Sequence, residues 1–258
     1  MIDIHSHLLP GVDDGASSMQ VAVDMLAIYA QLGFTKIVAT PHLVAELDSV
    51  YREAVRDALD LVAPYAKRLG LQVVQGYEIR LNPEVPRFIE AAHPITMGYT
   101  NVVLTDLAGS SWPSFTEDII FQIQSTGCKV ILAHPERYTA IQQHPEMALD
   151  LFNRGVILQT TIGSYCGAFG RRAKKAAETL LDLQVVQVVA TDAHSAGDRM
   201  AAVPDGLQRL EDLLGVDQLR CLLIDAPNAI LAGSDLPQPV QPVSRSWRNR
   251  LPFLRSAR

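Results

Sequence analysis

With 258 residues, 48% of them hydrophobic and 19% charged, the chain can bury a sizeable core, which excludes a small disulfide-stapled scaffold and wholesale disorder. No stretch approaches about 18 uninterrupted apolar residues, and Asp3 and His5 stand where an export signal needs basic residues and then an apolar run, so neither a membrane span nor a signal peptide is expected. The formal charge of -6 is uneven: residues 237–258 hold five Arg and no acid, leaving 17 basic against 28 acidic residues in 1–236, a poor surface for nucleic acid.

Short apolar runs alternate with helix-period segments. Strands are predicted at Ile2 to Ile4, Lys36 to Thr40, Gln72 to Tyr77, Asn101 to Thr105, Lys129 to Ala133, Val156 to Thr160 and Val185 to Ala190. Helices are predicted between them at Ser17 to Leu32, Ser49 to Leu69, Pro83 to Ala91, Phe115 to Ser125, Pro145 to Asn153 and Arg171 to Leu183, several closed by a glycine such as Gly33. Strand then helix, repeated, calls for a parallel sheet with helical crossovers. The pattern makes residues 1–236 one α/β domain, and the Pro, Gln, Ser and Arg content of 237–258 reads as a basic, flexible C-terminal tail. Three scattered cysteines, Cys128, Cys166 and Cys221, form no disulfide framework and point to a reducing compartment, with the cytoplasm as the expected location.

A doubly wound sheet and a closed barrel both satisfy this alternation, and the polar residues separate them. A doubly wound sheet concentrates its site at one crevice and one Gly-rich turn, whereas a barrel draws functional side chains from many strand ends. Here Ile4 is followed by His5, Thr40 by Pro41 and His42, Tyr77 by Glu78, Thr105 by Asp106, Ala133 by His134 and Thr191 by Asp192. A barrel-like (β/α) closure is therefore expected.

The same residues carry the chemistry. His5 and His7, at i and i+2 leaving a strand, point to one side and can grip one ion. Gly11-Val12-Asp13-Asp14-Gly15 follows, and taken alone it is equally a turn with a helix cap. A single buried histidine is as readily a hydrogen-bonded core residue, and a single strand-end Asp as readily a cap. Histidines and carboxylates recurring at equivalent strand ends favour a metal cluster over those bland readings. A mixed imidazole and carboxylate shell suits manganese, iron or zinc and does not separate them.

A competing signal is Cys166-Gly167-Ala168-Phe169-Gly170-Arg171-Arg172, a Cys followed after five residues by Arg between a strand and a helix, which is how a cysteine-dependent phosphatase cradles phosphate. Against it, Tyr165 and Ala173 stand where that arrangement needs His and a hydroxyl, and it leaves the strand-end ligands without a purpose.

The opening MIDIHSHLLPGVDDG, ATPH at Ala39 to His42, GYEIR at Gly76 to Arg80, LAHPERY at Leu132 to Tyr138 and ATDAH at Ala190 to His194 resemble the PHP (polymerase and histidinol phosphatase) superfamily. Within it they are similar to the bacterial tyrosine-protein phosphatases of the CpsB and YwqE type, in order and spacing over residues 1 to about 232. The resemblance implies a distorted (β/α)7 barrel of the PHP type with up to three divalent ions per chain, commonly manganese. It also implies removal of phosphate from tyrosines on a bacterial kinase of capsular or exopolysaccharide synthesis and export. By the same resemblance, His5, His7, Glu78 and Asp192 bind a first ion. Glu78 bridges to a second held by Asp106 and His134, and Asp14, His42 and His194 hold a third. Arg137 and Arg199 are the matched candidates for gripping phosphate. No general acid is assigned from the residues, with His42 and an ion-bound water as the options for protonating the leaving oxygen. Two departures stand out. Asp106 occupies a position where the family has Glu, which bears on the second ion, and Thr160 to Cys166 replaces an Asn-Ala-Gly-Ser type loop, which bears on substrate preference.

Four carboxylates, Asp14, Glu78, Asp106 and Asp192, against three divalent ions leave a net charge of about +2, suited to a phosphate dianion. The expected reaction is attack by hydroxide in line with the departing oxygen, without a phosphoenzyme. Other readings are a different phosphoesterase of the same superfamily, such as one acting on histidinol phosphate, and a phosphoprotein-binding protein without turnover. In the tail, five arginines mixed with Trp247, Leu251, Phe253 and Leu254 suit a flexible segment or peripheral contact with an anionic membrane or the kinase.

Overall fold

The computed structural model describes residues 1–44, 48–91 and 95–241. The arginine-rich segment from Ser244 to Arg258, expected to be flexible or to make peripheral contacts, lies outside the described residues. Residues 237–241 run along the body without regular structure, and Val240, only 2% exposed, packs into the main core.

Nine strands occur among the described residues: β1 (Ile2–Ser6), β2 (Lys36–Ala39), β3 (His42–Leu43), β4 (Gln72–Gln75), β5 (Glu78–Arg80), β6 (Val102–Asp106), β7 (Lys129–Ala133), β8 (Ile157–Thr161) and β9 (Val186–Ala190). The count exceeds seven because two expected strands are each broken in two. Pro41, which has no N–H to give a ladder, separates β2 from β3. Gly76 separates β4 from β5, where a Cβ would lie 2.8 Å from Val38 Cγ1. Pairing continues across the breaks through Gly76 N to the Ala39 carbonyl and Glu78 N to the Pro41 carbonyl. The kinked strands therefore stay together, with His42 in register beside Glu78.

All pairings are parallel. One sheet has the order β1-β2-β4, the other β3-β5-β6-β7-β8-β9. The far edges meet beyond β1 and β9, where His7 N donates to the Ala193 carbonyl and Asp192 N to the His5 carbonyl. Asp3, fully buried, pins this seam by accepting from Tyr29 Oη at 2.6 Å and from both Thr191 Oγ1 and Thr191 N. Burial pushes the Asp3 carboxyl up from its ordinary range against these donors.

Alternate residues of the strands, including Ile2, Ile4, Val38, Val102, Leu104, Ile131, Ala133, Val188 and Ala190, form one apolar cluster enclosed by the sheets. Ala226 and Ile230 of α12 (Ala226–Leu231) close that cluster. A second cluster lies between the strands and the surrounding helices. Helix α1 (Met19–Gln31) is typical of these helices. Ser18 caps its N-terminus, Ala22, Met25, Leu26 and Tyr29 make its buried stripe at helical spacing, and Gly33, at φ 81°, follows its end.

The remaining α-helices among the described residues are α2 (Ser49–Arg68), α3 (Val85–Ala91), α4 (Thr116–Ser125), α5 (Thr139–Gln143), α6 (Glu146–Asn153), α7 (Ile162–Cys166), α8 (Gly170–Asp182), α9 (Asp198–Ala201), α10 (Val203–Leu214) and α11 (Val216–Arg220). The six predicted helices correspond to α1, α2, α3, α4, α6 and α8. The short ones and those after residue 197 are additional.

Candidate metal centre

The C-terminal strand ends open onto a cavity of about 360 Å³ whose walls include Asp14, His42, Glu78, Asp106, His134, Asp192 and His194. His5 and His7 lie fully buried beneath it. All nine side chains expected to hold metal thus gather at one end of the sheets.

At the centre, His5 Nε2 and His7 Nε2 approach to 3.2 Å. Glu78 Oε2 lies 3.3 Å from each nitrogen, and Asp192 Oδ1 lies 3.4 Å and 3.5 Å from them. Donors about 2.0–2.1 Å from a tetrahedral ion sit roughly 3.3 Å apart, and His5, His7 and Asp192 form one group whose ligand atoms all lie within 4.8 Å of one another, while Glu78 faces the two imidazoles from outside that group. The tautomers agree with this. His5 Nδ1 faces Gln159 Oε1 at 2.8 Å, and the Gln159 amide nitrogen is committed to the Thr160 carbonyl. His7 Nδ1 faces Asp13 Oδ2 at 2.7 Å. Each Nδ1–H therefore donates outward, leaving two Nε2 lone pairs pointed at one another. Such an arrangement needs a proton or a metal between them.

Two further groups flank this one. His42, Glu78 and Asp106 bring ligand atoms within 4.8 Å of one another, as do His7, Asp14, His42 and His194. His42 Nδ1 is buried with no hydrogen-bond partner although Glu78 Oε2 is 3.0 Å away, an orphaned atom that an ion would serve. His134 Nε2 lies 3.0 Å from Glu78 Oε1. The grouping differs from expectation: Glu78 stands outside the group of His5, His7 and Asp192, His134 stands outside the group of Glu78 and Asp106, His42 joins both flanking groups and His7 joins the outer one. Asp14, whose side chain is 68% exposed, stands at the rim.

Backbone strain marks the same place. His134 (φ 39°) and Asp192 (φ 50°) both adopt left-handed conformations, at a cost of about 1–3 kcal/mol each. The surrounding hydrogen bonds hold them there, including His134 N to the Gln159 carbonyl and Asp192 N to the His5 carbonyl.

Without ions the charges are strongly coupled. Burial alone would raise Glu78, yet His5 and a hydrogen bond from His134 hold its carboxyl well below the usual range. Asp192 is likewise held down against burial by His5 and Arg137. Burial opposes protonation of His7, but Asp13, Asp192 and Glu78 raise its imidazole well above 6.5. His194 is pushed down to about 4, by burial first and by the His7 charge. Asp106 is raised by burial and by neighbouring Glu78, despite Arg80.

Both candidate arginines reach the site through Asp192 Oδ2, Arg137 Nη2 at 2.5 Å and Arg199 Nη1 at 2.9 Å. Their guanidinium carbons lie 3.8 Å and 5.5 Å from the Phe169 ring centroid. Arg137 also donates to Thr161 Oγ1 at 2.6 Å, and fully buried Glu136 holds Thr161 N and Ser164 Oγ.

The cysteine reading fails on position. Cys166 ends α7 rather than starting a helix, and its Sγ is directed at the carbonyls of Gly163 and Ala202. The signals that sequence reasoning missed are Asp13, Gln159, Glu136, Phe169 and Arg80. Asp13, Glu136 and Arg80 lie inside the sequence motifs beside residues assigned roles, Phe169 lies in the segment Cys166 to Arg172 that suggested a thiol site, and nothing local to Gln159 flags it.

A parallel α/β protein with imidazoles and carboxylates converging at its strand C-termini falls in the class of folds that assemble sites from many strand ends. The chain belongs to the family described as capsular polysaccharide synthesis, CpsB/CapC, whose model matches residues 1–232. It is 31% identical to the tyrosine-protein phosphatase YwqE of Bacillus subtilis (strain 168), over 95% of this chain and 97% of that protein. It is 27% identical to the tyrosine-protein phosphatase CpsB of Streptococcus pneumoniae, over 90% and 98% respectively. A solved chain from work on YwqE and CpsB, described as unique metal-dependent tyrosine phosphatases, superposes with a TM-score of 0.83. That match has 30% identity and covers 95% of this chain and 100% of the other.

Proposed function

We propose that the protein is a metal-dependent tyrosine-protein phosphatase that hydrolyses phosphotyrosine on a protein partner, a bacterial tyrosine kinase of capsular or exopolysaccharide synthesis. The observation that carries this reading is the convergence at the cavity floor of His5 Nε2 and His7 Nε2, 3.2 Å apart, with Glu78 Oε2 and Asp192 Oδ1 each 3.3–3.5 Å from both nitrogens. The names of the relatives supply the substrate class. Manganese is the proposed ion, with iron or zinc as alternatives and up to three per chain. His5, His7, Glu78 and Asp192 form the first site, Glu78, Asp106, His134 and His42 the second, and Asp14, His42, His194 and His7 the third. We read the fold as the distorted (β/α)7 barrel and residues 1–236 as its single catalytic domain. Three free thiols suit a cytoplasmic location.

When bound, the ions supply Lewis acidity and make hydroxide available near neutral pH. The chain's own residues do the rest. Gln159 and Asp13 keep the His5 and His7 lone pairs turned inward. Arg137 and Arg199 stand at the cavity wall with charge-assisted donors for equatorial phosphoryl oxygens. A tyrosine phenol has a pKa near 10, so its oxygen departs with little protonation, and no side chain is assigned that task.

The test is metal-stripped protein assayed on phosphotyrosine peptide, phosphoserine peptide and histidinol phosphate, with each divalent ion returned in turn. Turnover of the phosphotyrosine peptide, restored by manganese, is expected. Full activity after exhaustive chelation, or binding without turnover under every ion, would overturn the reading.

A further inference from the structure

Among the described residues three guanidinium groups line the cavity: Arg80, Arg137 and Arg199. Two are each held through one terminal nitrogen, Nη2 of Arg137 and Nη1 of Arg199. Arg137 is held by Asp192, Thr161 and the Phe169 ring, and Arg199 Nη1 by Asp192 and His194.

Arg80 differs. It sits two residues beyond Glu78 on β5, so both side chains leave the strand on the same face. Its Nε donates to both oxygens of Asp106, at 2.8 Å and 2.9 Å, which fixes the plane of the guanidinium. Among the described residues its two terminal nitrogens have no hydrogen-bond partner, and the side chain is 29% exposed at the cavity. A guanidinium anchored at one end and open at the other offers a preorganised pair of donors for an oxyanion. It stands on β5, while Arg199 and the Asp192 carboxylate follow β9, at the other end of the six-stranded sheet.

We infer that Arg80 is a phosphate-binding residue. With Nε held by Asp106, its terminal nitrogens donate to an oxygen of the phosphate group that the cavity receives. The inference rests on the phosphatase reading for the identity of the anion and adds a contact beyond Arg137 and Arg199. It also gives Asp106 a second task, orienting Arg80.

The experiment is calorimetric titration of inorganic phosphate into manganese-loaded protein, comparing the unsubstituted chain with Arg80→Ala and Arg80→Gln, with metal content measured on each sample. The glutamine variant keeps a donor for Asp106 and guards against a folding failure in the alanine variant. Both should bind phosphate about 10- to 100-fold more weakly, the loss expected for one hydrogen bond to a charged group, at unchanged metal content.

Three results would overturn the inference. One is unaltered phosphate affinity. Another is a deficit that vanishes when excess manganese refills a depleted site, which would reduce Arg80 to a holder of Asp106. The last is a defect confined to phosphopeptides with acidic flanks, which would make Arg80 a reader of neighbouring residues. Turnover of phosphotyrosine peptide by the unsubstituted chain is scored separately. Phosphate binding without turnover would sink the phosphatase reading and leave the Arg80 contact standing.

Discussion

Asp13 Oδ2 lies 2.7 Å from His7 Nδ1 and also accepts from the backbone N of His42 at 3.0 Å, so one acidic turn residue orients two histidine-bearing segments. Its other oxygen accepts from Gly15 N, which closes the turn beneath His7. A carboxylate paired in this way with a metal-ligating imidazole stiffens it and raises its basicity, which is the role proposed for Asp13 beside His7.

Asp13→Asn should therefore weaken metal binding about 10- to 100-fold while leaving the chain folded. Titration with manganese, followed by calorimetry, checks this. Activity should return in part at high metal concentration. An unchanged affinity would show that His7 needs no orienting partner.

The pH dependence follows from the shifts in the metal-free state. His5 and His7 are raised above 6.5, burial notwithstanding, by the surrounding carboxylates. Their contribution to stability is fully present below pH 6.5 and is lost as pH rises through their folded values. Glu78 and Asp192 are lowered, so their contribution is present above their ordinary 4.5 and 3.8 and is lost as pH falls through the folded values. His194, held down to about 4, opposes the other histidines and costs stability as pH falls from 6.5 towards 4. On the proposed reading, in which His5 and His7 hold an ion, metal binding displaces protons from them. The rise in Tm on adding manganese should thus be larger at pH 8 than at pH 6, as measured by scanning calorimetry on chelated and reloaded samples.

Arg137→Ala removes the contact to Asp192 Oδ2, the bond to Thr161 and the stack on Phe169 together. A loss of roughly 100-fold in kcat/KM on a small aryl phosphate is expected, in the range for removing one preorganised donor to a developing charge. Arg137→Lys should recover little, because an ammonium cannot reproduce the planar stack and fork. Full recovery by lysine would reduce the role of Arg137 to bare charge.

Cys166→Ser should leave turnover within about twofold, since substitutions away from a functional or packing feature are usually small in effect. The thiol faces two backbone carbonyls rather than the cavity. A near-complete loss in steady-state kinetics would revive the thiol mechanism.

Gly206, in α10, faces α7 so closely that a Cβ would lie 2.4 Å from the Ile162 carbonyl oxygen. Gly206→Ala must push the two helices apart and should cost about 1–3 kcal/mol or more, the range for overpacking. Denaturant unfolding reads this directly. Because α7 carries Ser164, a partner of Glu136, a fall in activity at temperatures where the chain remains folded is also expected.

Much of the site was legible from residue order alone. Apolar period and length marked the strand positions, and six of the seven expected strands lead into a ligand-type residue, from His5 to Asp192, although His5 and Asp106 lie within β1 and β6 and His42 and Glu78 open β3 and β5. Those are local properties, written in two to five consecutive residues. What the tertiary structure alone decided is which atoms meet. It broke two strands at Pro41 and Gly76 so that His42 lies beside Glu78. It chose Asp13 rather than Asp14 as the partner of His7, turned Cys166 away, and tied Arg80 to Asp106 across neighbouring strands. These outcomes depend on how the two sheets join at the seam between β1 and β9 and on side chains up to 188 residues apart, such as Asp3 and Thr191. No periodicity within a single segment encodes a distance of that kind.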